Sequence, residues 1–240
     1  MTYIRYHLYF NLPMLALLLV WPAGKTWGGS EWSAAAIVIA AGYAFTIPWD
    51  STAVAQGLWD FAEGKHWKRA WRMPVEEYLF FGLQAVEVLL FVNGLIGLRL
   101  GGTSWTQPAS GNLPVVAAFG VLAVVWIFLR FAGVRRAEKY NYAWHVFYWF
   151  LPVIGAEWIA GWGILAPRWP LLVLPAVVIG GWLTLADLVA VRTGLWRFDP
   201  KQVTGTKLFG ISPWEESAFL CLTSLLVAQS YLLLLPESSR

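Results

Sequence analysis

The sequence predicts an all-α polytopic membrane protein. Seven transmembrane helices form two parallel three-helix repeats joined by one linking helix, a 3+1+3 plan. Three observations predict it. Of 240 residues, 58% are hydrophobic and only 13% charged, with a mean hydropathy of +0.57, where a soluble domain carries about 25% charged residues. Seven apolar stretches are long enough to cross about 30 Å of hydrocarbon. The chain also repeats itself at an offset of 137 to 139 residues.

The expected spans are 4–21, 32–49, 75–98, 113–131, 142–164, 169–190 and 213–235. The first carries no small-residue cleavage site after it and has a counterpart in the fifth, so it reads as a retained span rather than a leader. Pro13 and Pro152 fall inside spans, which membrane helices tolerate when neighbours satisfy the freed carbonyl. The N-terminus and even-numbered loops hold 13 basic residues, from Arg5 through Lys65, Arg69 and Arg136 to Lys207, and the other side holds four, Lys25, Arg99, Arg168 and Arg240. By the positive-inside rule the N-terminus of this cell-membrane protein is cytoplasmic and the C-terminus outside. The pI near 9.0 is therefore a topology signal and an attraction for anionic lipid, and no nucleic-acid partner is expected. The oligomeric state is open, a homo-oligomer included.

The repeat sets the domain boundaries. "PWDSTAVAQGLWDF" from Pro48 aligns with "LADLVAVRTGLWRF" from Leu185, placing Asp50 on Asp187, Gly57 on Gly194, Trp59 on Trp196 and Phe61 on Phe198. "RMPVEEYLFF" from Arg72 aligns with "ISPWEESAFL" from Ile211, placing Glu76 on Glu215 and Glu77 on Glu216. The expected units are 1–112, a linking helix and loop over 113–140, and 141–240. Two three-span units placed end to end would be inverted, so the extra crossing restores a common orientation. The two repeats would then meet about a pseudo-twofold axis along the membrane normal.

Two readings of the paired glutamates compete. In "SPWE", Ser212 as N-cap, Pro213 as N1 and Glu215 as N3 would make a capping box, and acidic residues suit a helix N-terminus. Capping does not require Glu77, Glu216 or the upstream aspartates. The alternative is an acid cluster at the membrane boundary. An aspartate within a span costs up to about 3.5 kcal/mol to insert, and both burial and a neighbouring carboxylate favour the protonated form that a general acid needs.

The chemistry is narrowed by what is missing. The lone Cys221 supports neither a disulfide framework nor zinc. His7, His66 and His145 are scattered, so no metal is expected. There is no glycine-rich dinucleotide turn, no DxxD pair to hold magnesium, and no lysine within the seventh span, Lys207 preceding it. No cofactor is expected. There are 17 tryptophans, many suited to interfacial belts. Trp49, Trp59, Trp196 and Trp214 lie in or beside the acidic motifs, where an indole face stabilises a cation by about 0.5–2 kcal/mol. Acids with aromatic walls suit protonation of a double bond in a membrane-dissolved polyene.

These residues resemble a known family. "PWD", "GLWDF", "GLWRF" and the two Pro-x-Glu-Glu motifs are similar to those of the membrane-integral, non-flavin lycopene cyclases, which occur as two-subunit enzymes and as fused single chains. The resemblance covers nearly the whole chain. It implies a redox-neutral isomerisation of lycopene, begun by protonation and ended by proton loss to a β-type ring. It implies catalytic roles for Glu76, Glu77, Glu215, Glu216 and Asp50, with Glu76 or Glu215 first, so that Glu76→Gln and Glu215→Gln should each abolish cyclisation. Asp187 lacks the flanking Pro-Trp and is expected to orient rather than donate. Trp49, Trp59, Phe61, Trp196, Phe198 and Trp214 are expected to line the substrate. Glu87, about 18 Å along the third span, is a candidate for substrate contact or proton relay, or a structural hydrogen-bonding group. Glu157 and Asn11 read as structural, and Asp60 as solvent-facing. Two rivals stay open: a carotenoid hydratase that adds water to the same cation, and a small 3+1+3 transporter.

Overall fold

The computed structural model describes residues 1–21, 27–98, 100, 117, 120–121, 124 and 137–236. Of the expected fourth span, 113–131, all but residues 117, 120, 121 and 124 lie outside the described residues. The expected first span is α1 (Tyr3–Tyr6), a π-helical turn at His7–Asn11 and α2 (Leu12–Val20). The widened turn sits just before Pro13, whose missing N–H and bulky ring already break the regular hydrogen-bond ladder.

Among the described residues, four helical stretches have the length and composition of a membrane crossing: Gly29–Ala55, Val75–Gly97, Glu138–Arg192 and Trp214–Leu234. The first two are α3 and α4. The third contains α5 (Asn141–Leu165) and α6 (Trp169–Arg192), joined through a 3₁₀ turn at Ala166–Arg168. The last is α7. Apolar side chains such as Leu19, Ile37 and Val177 face outward, while His7, Asn11, Gln84, Glu87 and Asn93 are buried. Polar groups inside and apolar groups outside is the arrangement a hydrocarbon solvent selects.

The glutamate helices are central: α7 packs on α6, α5, α4 and α3, and α4 packs on α3, α2 and α6. Gly180 lets α6 and α7 close up, since a Cβ there would lie 2.8 Å from the Cα of Cys221, the close approach that small residues permit between membrane helices.

One end of the helices carries short strands. β1 (Trp59–Phe61) pairs antiparallel with β4 (Trp196–Phe198), with Asp60 opposite Arg197. The two aligned Gly-Leu-Trp segments thus meet each other. Each follows a glycine with positive φ, Gly57 at 67° and Gly194 at 65°, a conformation in which a side chain is strained. β2 (Arg69–Ala70) pairs with β3 (Met73–Pro74), and β5 (Lys207–Leu208) with β6 (Ser212–Pro213). Further bonds gather the same end: Tyr3 N–H donates to Lys65 O (2.7 Å), Tyr142 N–H to Gln202 O (3.0 Å), and the Lys65 ammonium to Gly194 O (3.0 Å). In the loop beyond β4, the Lys201 amide and the Gln202 side chain donate to Asp199, and these bonds hold its carboxyl below the ordinary range.

Two expectations are corrected. The second span ends not at 49 but at Ala55, so Asp50 lies more than a turn inside α3. The capping box at Ser212 does not form. Pairing with β5 keeps Ser212 and Pro213 extended, α7 opens at Trp214 with Pro213 as N-cap, and no side chain caps it. Glu215 is thereby freed from the capping position.

Candidate active site

Asp50 sits near the C-terminal end of α3 and Asp187 near that of α6, while Glu77 and Glu216 occupy the first turns of α4 and α7. Because the four helices converge at the strand-bearing end, the four carboxyl groups line one cavity of about 30 Å³, room for about one water molecule. All four are buried. Among the described residues, no lysine or arginine lines the cavity.

Each carboxyl group has a distinct set of partners. Tyr3 donates its hydroxyl to Glu77 Oε2 (2.5 Å), and Tyr142 donates to Glu216 Oε2. Trp196 Nε1 donates to Asp187 Oδ1 at 2.8 Å. Among the described residues, neither oxygen of Asp50 has a hydrogen-bond partner. Aromatic rings close the walls: Trp49, Trp59, Phe61 and Phe80 from the first repeat, Trp196, Phe198 and Phe219 from the second. Trp49 stacks on Phe219 with centroids 4.4 Å apart and planes 13° from parallel.

Nine of the thirteen residues expected from the sequence come together here: Asp50, Asp187, Glu77, Glu216, Trp49, Trp59, Phe61, Trp196 and Phe198. The other four do not line this cavity. Glu76 Oε1 accepts from the Trp67 amide and Glu215 Oε1 from the Thr204 amide, both at 2.8 Å, so each first glutamate ties down the loop before its helix. Trp214 donates to Thr204 Oγ1 at 2.7 Å and packs near Phe147. Glu87 is fully buried deeper in α4, with neither oxygen hydrogen-bonded among the described residues.

A lycopene beta-cyclase of Halobacterium salinarum is 31% identical to this chain over 225 residues, covering 92% of this chain and 90% of that one. The chain belongs to the non-flavin lycopene cyclase family. Two fungal relatives agree. Bifunctional lycopene cyclase/phytoene synthases of Phycomyces blakesleeanus and Blakeslea trispora are 27% and 26% identical, each over 92% of this chain and 37% of the longer fungal one. No protein-family model matches the chain, and no solved structure matches it.

Sequence reasoning missed several cavity residues of this cyclase-family chain: Tyr3, Tyr6, Phe80, Phe219 and Leu220, together with Tyr142, which reaches in through Glu216. A signal existed. Tyr3 aligns with Tyr142 and Phe80 with Phe219 at the same offset of 139 that relates Glu77 to Glu216.

Proposed function

We propose that this chain is a lycopene cyclase that closes a β-type ring, with Asp50 as the proton donor. The observation that carries the reading is four buried carboxyl groups converging on one aromatic-walled cavity with no basic side chain in its lining. An ionised carboxylate buried without compensation costs several kcal/mol, so the set is stable only if it holds protons. Among the described residues Asp50 accepts no hydrogen bond that would stabilise a negative charge. Glu77 and Glu216 accept tyrosine hydroxyls and sit at helix N-termini, where the macrodipole favours it. A proton on Asp50, with the negative charge the set retains shared between the two tyrosine-bonded glutamates, fits these partners.

The proton of Asp50 adds to C2 of the terminal C1=C2 bond and leaves a tertiary cation at C1. The C5=C6 electron pair forms the C1–C6 bond and moves the cation to C5. Loss of the C6 proton to a carboxylate of the cluster restores C5=C6 and completes the ring. No electrons are gained or lost. Trp59 and Trp196 border the cavity, where an indole face contributes about 0.5–2 kcal/mol to a cation, and the charge shared by the glutamates adds stabilisation in a dry site. Asp187, held by Trp196, orients the cluster.

The same reading includes seven spans in the 3+1+3 plan, units 1–112, 113–140 and 141–240, a cytoplasmic N-terminus and an outside C-terminus. The equivalent hydrogen bonds of Glu76 and Glu215, and the pairing of β1 with β4, support two repeats facing each other about a twofold axis. Expression in a lycopene-accumulating host followed by pigment chromatography tests the function. A monocyclic or bicyclic β-carotene-type product is expected. A hydroxylated product would make the chain a hydratase, and unchanged lycopene would leave the transporter reading.

A further inference from the structure

The acid cavity, at about 30 Å³, has no room for the length of a long polyene, which must lie elsewhere. A second cavity of about 290 Å³ lies between α3, α4, α5 and α7. It begins one helical turn beyond the acid cavity on three helices at once: Thr46 follows Trp49 on α3, Gln84 follows Phe80 on α4, and Thr223 follows Phe219 on α7. From there it extends along α3 to Val38, about 12 Å at the helical rise.

Its polar groups are turned on one another. Gln84 Nε2 donates to Thr223 Oγ1 (2.6 Å), and Ser230 Oγ donates to Glu157 Oε1 (2.6 Å). What faces the space is apolar, the balance expected of a pocket for a greasy ligand. The partition from the acid cavity is made of rings. Phe150 stands edge-on to Trp49 (5.8 Å, 86°) and to Phe219 (5.9 Å, 76°).

We infer that this second cavity holds the stretch of polyene next to the reacting end group, with Trp49, Phe150 and Phe219 as the partition that the end group displaces to reach the acids. The inference rests on the cyclase reading. Two cavity-filling variants test it: Gly42→Leu, where a Cβ would meet no heavy atom within 4 Å, and Ala85→Phe on the facing wall. Each is assayed with lycopene and with a shorter acyclic polyene carrying the same end group. For lycopene, kcat/KM should fall at least about tenfold, and for the short substrate by no more than about twofold, with melting temperatures close to that of the unchanged protein. Equal losses on both substrates, or none on either, overturn the inference. So does a co-purified phospholipid lost from the variants while lycopene turnover is unchanged, which would assign the space to an acyl chain. An unchanged protein that cyclises neither substrate removes the cyclase reading instead.

Discussion

Asp50 and Glu77 lie in one cavity but are satisfied differently, and that difference sets their roles. Among the described residues Asp50 lacks a donor, whereas Glu77 accepts from Tyr3. Asp50→Asn is expected to lower cyclisation at least about a hundredfold, the scale of a lost general acid. Glu77→Gln and Glu216→Gln, which remove the carboxyl groups bonded to Tyr3 and Tyr142, should do the same. The family resemblance ranks Glu76 and Glu215 first, while the geometry gives them the amides of Trp67 and Thr204. A glutamine keeps an oxygen for those amides, so Glu76→Gln and Glu215→Gln should retain activity within about tenfold of the unchanged protein. Alanine there should destabilise by about 1–3 kcal/mol through the orphaned amide. Product formation by chromatography, set against the amount of inserted protein, decides between the two rankings.

At the scale of elements, the acids are placed by how closely the helices approach. Gly180 brings α6, with Asp187, against α7, with Glu216. Its neighbour Gly181 faces open space, where a Cβ would meet no heavy atom within 4 Å. Gly180→Ala should therefore destabilise the purified protein by about 1–3 kcal/mol through overpacking and so lower its melting temperature. Gly181→Ala should leave it unchanged or raise it, because alanine favours the helix. Similar behaviour of the two variants would show that this contact does not hold the helix pair. The strand pairs act at the same scale: they keep Pro74 and Pro213 extended, so both glutamate helices open at the same point of the motif.

For the molecule as a whole, the N-terminus and the loops around β1–β3 and β4–β6 share one end, where β1 meets β4. Thirteen of the 17 basic residues are expected on that side, and from the positive-inside rule we propose that it is cytoplasmic. Single cysteines in place of the exposed Glu63 and Lys201, in a Cys221→Ser background, should react with a membrane-impermeant thiol reagent in inside-out vesicles and not in intact cells. Reaction of the two sites from opposite faces would break the shared-end arrangement.

The sequence alone determined the solvent, the repeat and most of the cavity. Apolar length, basic asymmetry and the register of Asp50 with Asp187 and Glu77 with Glu216 are linear properties that need no fold to be read. Tyr3 and Tyr142 were legible in the same register but carried no motif of their own. Only the tertiary structure decided which glutamate of each pair faces inward. Adjacent helical residues point about 100° apart, and inward is defined by the neighbouring helices rather than by the residue. The exclusion of Trp214 and the missing cap at Ser212 have the same origin: a strand pairing between residues apart in sequence sets where α7 begins, and that starting point sets the direction of every side chain in its first turn.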